Sequence, residues 1–375
     1  MDGSHLTLPR FNTIGLAEKV AVNNALLQPL SGYLGGINKA GYWVSRLQDK
    51  WKEAFHCQYA VACNSATSGL LAACMAIDVG PGDVVWTTGY SMSATAACAK
   101  VLGARIVFID IETIRFSINM NSFHGDMPKC IIVTNLFGHP AYLSAMRSWC
   151  DSNNVIMIED AAQSPFAMEG KRYAGTIGHL GVFSFNVHKH IQAGEGGVIV
   201  SDIHDLILAA QRAINHGELS VTGHDKNQKC RFGLNLRMTE PVAAIACAQL
   251  GRAEGIIEGR IELAEELTDM VRDISWIIPP KADVDCKHVY YKWAARITNG
   301  KRGQFLLHVN SEGFPLNMGF APVLPRLFEQ DDACPVAERM ENEELVHFEV
   351  CMWNPKRNQL RQMRNIIRRA ADALS

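Results

Sequence analysis

Short apolar runs alternate with longer segments of helical spacing along the first two-thirds of the chain. Tyr59 to Cys63, Val84-Val85-Trp86 after the turn Gly80-Pro81-Gly82-Asp83, Arg105 to Asp110, Cys130 to Leu136 and Val155-Ile156-Met157-Ile158 read as buried strands. Gly181 to Phe185 and Val198-Ile199-Val200 continue the series. Between them lie helical segments, clearest at Tyr42 to Phe55, where Trp43, Leu47 and Trp51 share one face. The N-terminal segment to about Tyr33 has helical apolar spacing as well. This alternation predicts an α/β fold with a mostly parallel sheet covered by helices on both faces.

The pattern changes further on. Glu240 to Glu266 is helix-like and alanine-rich, His288 to Thr298 reads as a strand of mixed polarity, and Asn358 to Leu374 as a terminal amphipathic helix. The expected division is a large α/β domain over 1–250, including the N-terminal helical segment, and a smaller α+β domain over 251–375. The first residues are expected to pack beside the smaller one. At 375 residues the chain suits two such units.

Composition narrows the function. The net charge is −2, and the 36 basic residues are scattered, so no footprint for nucleic acid is visible. No secretory signal or membrane span can be read. Eleven cysteines, without a CxxC pair and often in apolar runs such as those of Cys63, Cys74, Cys98 and Cys247, suit reduced thiols in the cytoplasm better than disulfides or a metal site.

Two stretches carry chemistry. In Ile158-Glu159-Asp160-Ala161-Ala162-Gln163-Ser164, Asp160 falls at the carboxyl end of a strand, the edge where open α/β sheets collect ligands. A carboxylate there can pair with a protonated pyridine nitrogen. In Phe183-Ser184-Phe185-Asn186-Val187-His188-Lys189, the lysine precedes Gly194-Glu195-Gly196-Gly197 and another strand. Desolvation would lower its pKa and make it a Schiff-base nucleophile and proton carrier. Taken singly, Asp160 reads first as a cap or loop acid and Lys189 as an exposed charge. A third stretch, Asn64-Ser65-Ala66-Thr67-Ser68-Gly69-Leu70, opens a helix whose amides favour a phosphate or carry an ordinary N-cap.

Together with Gly233-Leu234-Asn235-Leu236-Arg237-Met238, these motifs resemble those of the DegT/DnrJ/EryC1/StrS sugar aminotransferases, in the same order and over nearly the whole chain. The resemblance implies fold type I and pyridoxal 5'-phosphate as cofactor, with Lys189 and Asp160 catalytic. It places Ala66, Thr67 and Ser184 on the cofactor phosphate, Gln163 at its phenolic oxygen, and Asn235 on the phosphate bound by the partner subunit of a homodimer. Met92 stands where relatives usually stack an aromatic on the pyridine ring; a methionine sulfur can also pack on a ring.

The resemblance further implies transfer of an amino group from an amino acid, glutamate or glutamine, to a keto sugar, commonly nucleotide-linked, in amino-sugar, cell-surface polysaccharide or natural-product biosynthesis. Lysine at 189, where some sugar-dehydrating relatives carry histidine, favours transamination. A dehydratase of the same family and a non-catalytic regulatory member are the alternatives. His188 and His190 are read either as tuning proton transfer or as packed, and His216-Gly217 with Gly313 to Pro325 as places to seek acceptor contacts.

Overall fold

The computed structural model describes residues 5–30, 41–218 and 232–374. Its centre is a seven-stranded sheet formed by β1 (Tyr59–Cys63), β2 (Val84–Thr88), β3 (Arg105–Ile109), β4 (Cys130–Thr134), β5 (Ile156–Asp160), β6 (Leu180–Ser184) and β7 (Gly197–Ser201). The spatial order is β1-β7-β6-β5-β4-β2-β3, and only β7 runs antiparallel to its neighbours. Buried on nearly every position, the strands read as continuous apolar runs because helices cover both faces.

The parallel arrangement brings the carboxyl ends of β1, β4, β5 and β6 to one edge. Thr134 on β4 lies beside Asp160 on β5, while Ser184 on β6 and Cys63 on β1 both pair with Gly197. Helices reach the same edge, among them Ala66–Ala76 after β1 and Ala94–Lys100, which follows the parallel strand β2. Gly69 allows the first to settle on the sheet, since a Cβ there would come within 2.7 Å of a Val182 methyl. On the opposite face Trp51, from the Tyr42–Phe55 helix, stacks on Phe55 and meets Phe183 and Phe185 edge-on or tilted at about 5 Å.

A second, four-stranded antiparallel sheet has the order Ile277–Ile278, Trp293–Ile297, Leu345–Phe348, Asn317–Met318. Leu6 and Leu8 join its core, as do Met363, Ile366 and Ile367 from the terminal helix Arg357–Leu374. A three-stranded sheet crosses between the two halves of the chain, pairing Cys286–Lys287 with Met168–Glu169.

Three expectations are refined. The helical stretch expected over Glu240 to Glu266 is two helices, Glu240–Leu250 and Ala253–Val271, broken where Arg252 turns to the Thr13 carbonyl and the Glu18 carboxylate. The strand expected over His288 to Thr298 is confined to Trp293–Ile297, because Tyr290 has φ +47° and the preceding residues bond to another loop, Val289 N–H to the Gly138 carbonyl. The first helix is Leu16–Leu26, and the rest of the segment expected to reach Tyr33 runs beyond the described residues.

Candidate active site

A cavity of about 400 Å³ opens at the carboxyl edge of the large sheet. Its walls include Ala66, Thr67, Met92, Asp160, Gln163, Ser184 and Lys189. Seven of the eight residues singled out from the sequence therefore meet in one place. Asn235 does not. It is exposed, and its backbone bridges Asn215 outside the cavity of its own chain.

Glu159 and Asp160 show how a strand sorts two adjacent acids, since successive side chains point to opposite faces. Glu159 turns away and accepts from the amides of Gly175 and Ile177 at 2.6 and 2.7 Å, from Gly178, and from Asn135 at 3.2 Å. Asp160 turns into the cavity, where its oxygens accept from the Thr95 hydroxyl at 2.8 Å and the Ala162 amide at 3.2 Å. Burial pushes the Asp160 carboxyl up from its ordinary value, while the Thr95 and Ala162 hydrogen bonds and the Lys189 ammonium pull it back. Among the described residues no cationic side chain makes an ion pair with it. A buried carboxylate so placed calls for a cationic partner from a ligand.

Lys189 lies in the loop between β6 and β7, half-buried in the cavity wall. Burial lowers its amine to about 8 against the attraction of Asp160. The amine sits 4.5 Å from the centre of the Tyr291 ring, an approach that favours the ammonium.

Facing these two groups, Ser65 caps the Ala66–Ala76 helix, its hydroxyl accepting from Ser68 N–H at 3.1 Å. The first turn of that helix lines the cavity, and its dipole favours an anion there. Ser184, at the end of β6, presents its hydroxyl from the other side. Gln163 has its oxygen engaged by the Phe137 amide at 2.7 Å, which leaves its amide N–H groups for the cavity it lines. An anion site, a buried acid and a depressed lysine in one enclosure match the phosphate, ring nitrogen and aldehyde of pyridoxal phosphate.

Sequence reading passed over Thr95, Tyr291 and Asn186. Thr95 lies in the segment that holds Met92, yet nothing in its spacing marks it as the partner of Asp160. Tyr291 sits in a run that reads as an ordinary strand. Phe320, also in the wall, falls within the stretch Gly313 to Pro325. The two flanking histidines part company. His188 lines the cavity, while His190 is wholly buried against Arg260, whose guanidinium donates to Nδ1 at 2.8 Å, and its Nε2 has no partner. His216 and Gly217 are absent from the cavity wall.

The model of the DegT/DnrJ/EryC1/StrS aminotransferase family matches residues 31–354. The chain belongs to that family. It is a pyridoxal-phosphate-dependent aminotransferase of fold type I, as the resemblance of its motifs implied. The GDP-perosamine synthase of Escherichia coli O157:H7 is 26% identical over 310 residues, covering 80% of this chain and 83% of that protein. Among solved structures, 3-amino-5-hydroxybenzoic acid synthase superposes with a TM-score of 0.87 at 21% identity, over 99% of both chains. A GDP-4-keto-6-deoxymannose-3-dehydratase, with a trapped PLP-glutamate geminal diamine, superposes with a TM-score of 0.84 at 21% identity, over 96% of this chain and all of that one. Among the described residues no helix is long and apolar enough to cross a membrane.

Proposed function

We propose that the enzyme moves the amino group of an amino acid, L-glutamate first among candidates, to the carbonyl carbon of a keto sugar, taken to be nucleotide-linked as the name of the GDP-perosamine synthase suggests. The observation that carries this reading is the convergence of Lys189, Asp160 and the start of the Ala66–Ala76 helix on one cavity. Bound there, pyridoxal phosphate supplies an aldehyde that accepts amines and a ring that absorbs the electrons of a carbanion.

The chain's own residues would do the rest. Lys189 holds the cofactor covalently, and its Nζ, once released, takes the α proton of the donor and returns it in the next step. With its amine near 8, roughly a tenth is unprotonated at pH 7, against under a thousandth for an ordinary lysine. Asp160, oriented by Thr95, would pair with the ring nitrogen and favour its protonated form. Ala66, Thr67 and Ser184 would hold the phosphate, Gln163 would contact the phenolic oxygen, and Met92 would pack on the ring. Asn235, exposed and outside its own cavity, would reach the phosphate held by the partner in a homodimer.

We take 1–250 as the cofactor-binding domain and 251–375 as the smaller one. A cytoplasmic setting is supported by ten described cysteines that are all free thiols, nine of them buried. Lysine at 189 supports transamination over dehydration.

The test is absorbance of the purified enzyme carrying pyridoxal phosphate, before and after L-glutamate. Loss of the visible band, with one 2-oxoglutarate released per site and the band restored by a nucleotide-linked keto sugar, is the expected result. A band that neither glutamate nor glutamine alters would overturn the transaminase reading. Lys189→Ala is expected to lose turnover by at least ~10³-fold, the scale of removing a general acid–base together with a nucleophile.

A further inference from the structure

Behind the aromatic wall of the cavity lies a buried charge cluster that the proposed chemistry does not use. Lys292, immediately before the Trp293–Ile297 strand, donates to Glu349 and lies 3.0 Å from His347 Nε2. His347 is on the neighbouring strand Leu345–Phe348, and its Nδ1 lies 2.6 Å from the Gly319 carbonyl oxygen. That contact places a proton on Nδ1, and Nε2 faces both the Lys292 ammonium and, at 3.1 Å, the Glu349 carboxylate. Lys292 and His347 are each 5% exposed. Two buried ionisable groups paired with a largely buried carboxylate are a costly arrangement, and one that positions what it touches.

What it touches is the wall. Lys292 Nζ lies 5.6 Å from the Tyr291 ring centre and 5.4 Å from that of Phe320. The Tyr291 ring carries Lys189 Nζ as well, at 4.5 Å, so the two ammonium groups share one aromatic ring and stand within about 10 Å of each other. The Gly319 carbonyl held by His347 immediately precedes Phe320. Tyr291 is fixed further by its carbonyl, which accepts from the Cys351 thiol at 3.4 Å.

We propose that Lys292, paired with Glu349 and His347, is a positioning residue for Lys189: it holds Tyr291 and Phe320 as the wall on which the amine rests and, with Glu349, sets the potential at that amine. The inference rests on Lys189 being the reacting amine. The other charged or titratable groups around Lys189 include Asp160 from β5, His188 and Glu195 in the same cavity wall, Tyr291, Cys351, and His190 with Arg260 from the Ala253–Val271 helix. Lys292 and Glu349 act on Lys189 in opposite senses, Lys292 lowering its amine and Glu349 raising it. Opposite signs give a test that a merely structural role would not pass.

The experiment is competitive labelling of the full-length enzyme, freed of pyridoxal phosphate, with acetic anhydride across pH 6–11, reading the Lys189 peptide by mass spectrometry. The parent midpoint is expected at about 8. Lys292→Met should raise it and Glu349→Gln should lower it, each by about half a pH unit or more. The double variant Lys292→Met/Glu349→Gln leaves no unpaired charge and should fold where a single variant fails, with a midpoint close to the parent's. Lys292→Arg should restore the midpoint. The donor half-reaction of the reloaded enzymes should shift its pH profile in the same directions. Shifts of one sign in both single variants, a displaced midpoint in the double variant, or no shift in any, would overturn the proposal. None of these outcomes bears on whether Lys189 is the reacting amine, which Lys189→Ala decides separately.

Discussion

Thr95 gives its hydroxyl proton to Asp160, Oγ1 to Oδ2 at 2.8 Å, and both side chains are almost wholly buried. Thr95 belongs to the helix after β2 and Asp160 ends β5, so the bond joins two strand ends across β4. It fixes which way the carboxylate faces and favours its charged form. Thr95→Val keeps the shape and removes the donor. The lost hydrogen bond to a charged acceptor is worth about 1.5–3 kcal/mol, so pyridoxal phosphate should bind roughly tenfold or more weakly, while Thr95→Ser stays near the parent. Titration of the cofactor-free enzyme followed by absorbance measures both. Equal affinities in all three would remove Thr95 from the site.

The neighbouring acids on β5 should separate cleanly. Glu159 anchors the Gly175–Gly178 loop through three backbone amides and touches nothing in the cavity. Glu159→Gln should lower stability by about 2 kcal/mol in urea unfolding and leave the cofactor affinity of the folded fraction unchanged. Asp160→Asn should do the reverse, leaving stability near that of the parent and lowering kcat by at least ~10²-fold, because the ring nitrogen loses its counter-charge.

Short apolar runs and their turn residues make the large sheet legible in the sequence, since each strand is apolar along most of its length and bounded by polar or glycine-rich turns. The loop geometry at its edge follows from strand direction: once β1, β5 and β6 are parallel, residues just past their ends must share that edge. Thr95 stays hidden because its role depends on β2 and β5 lying either side of β4, a long-range fact that local spacing does not encode. Tyr291 stays hidden because Tyr290 takes φ +47° and ends the strand that the sequence pattern extends through it. Asn235 is legible as a motif, but a single chain gives it no partner to reach.

Lys189 links function to stability. Its folded value near 8 lies below the ordinary lysine value of 10.5, so the unfolded chain binds more protons between those limits. Stability of the cofactor-free enzyme therefore rises with pH from about 8 to 10.5 through this group, and below 8 the buried ammonium is a constant burden. Lys189→Met removes the burden. At pH 7 its Tm should exceed the parent's by ~2 °C or more, and the difference should shrink as pH passes from 8 to 10.5. Calorimetry at pH 7 and pH 10 measures it; a gap that widens with pH would contradict the burial of the amine.

Gly138 is the point at which the loop after β4 meets the segment leading to Tyr291. Its φ of +92° is open to glycine and strained for other residues, and an added Cβ would lie 2.8 Å from the Tyr291 backbone nitrogen and 3.1 Å from the Gln163 carbonyl oxygen. A Val289 methyl at 2.9 Å could shift, but the other two atoms are main chain and cannot swing away to relieve the contact. Gly138→Ala must then either displace Tyr291 and Gln163 or strain the loop. Either route acts on the cavity wall: Gln163 is held there by the Phe137 amide and Tyr291 faces Lys189. The variant should lose about 2 kcal/mol or more of stability. Its remaining folded enzyme should bind pyridoxal phosphate more weakly and show the Lys189 labelling midpoint displaced from about 8. Loss of stability with an unchanged midpoint and affinity would mean that the loop takes the strain alone, and that Gly138 does not fix the distance between the two walls.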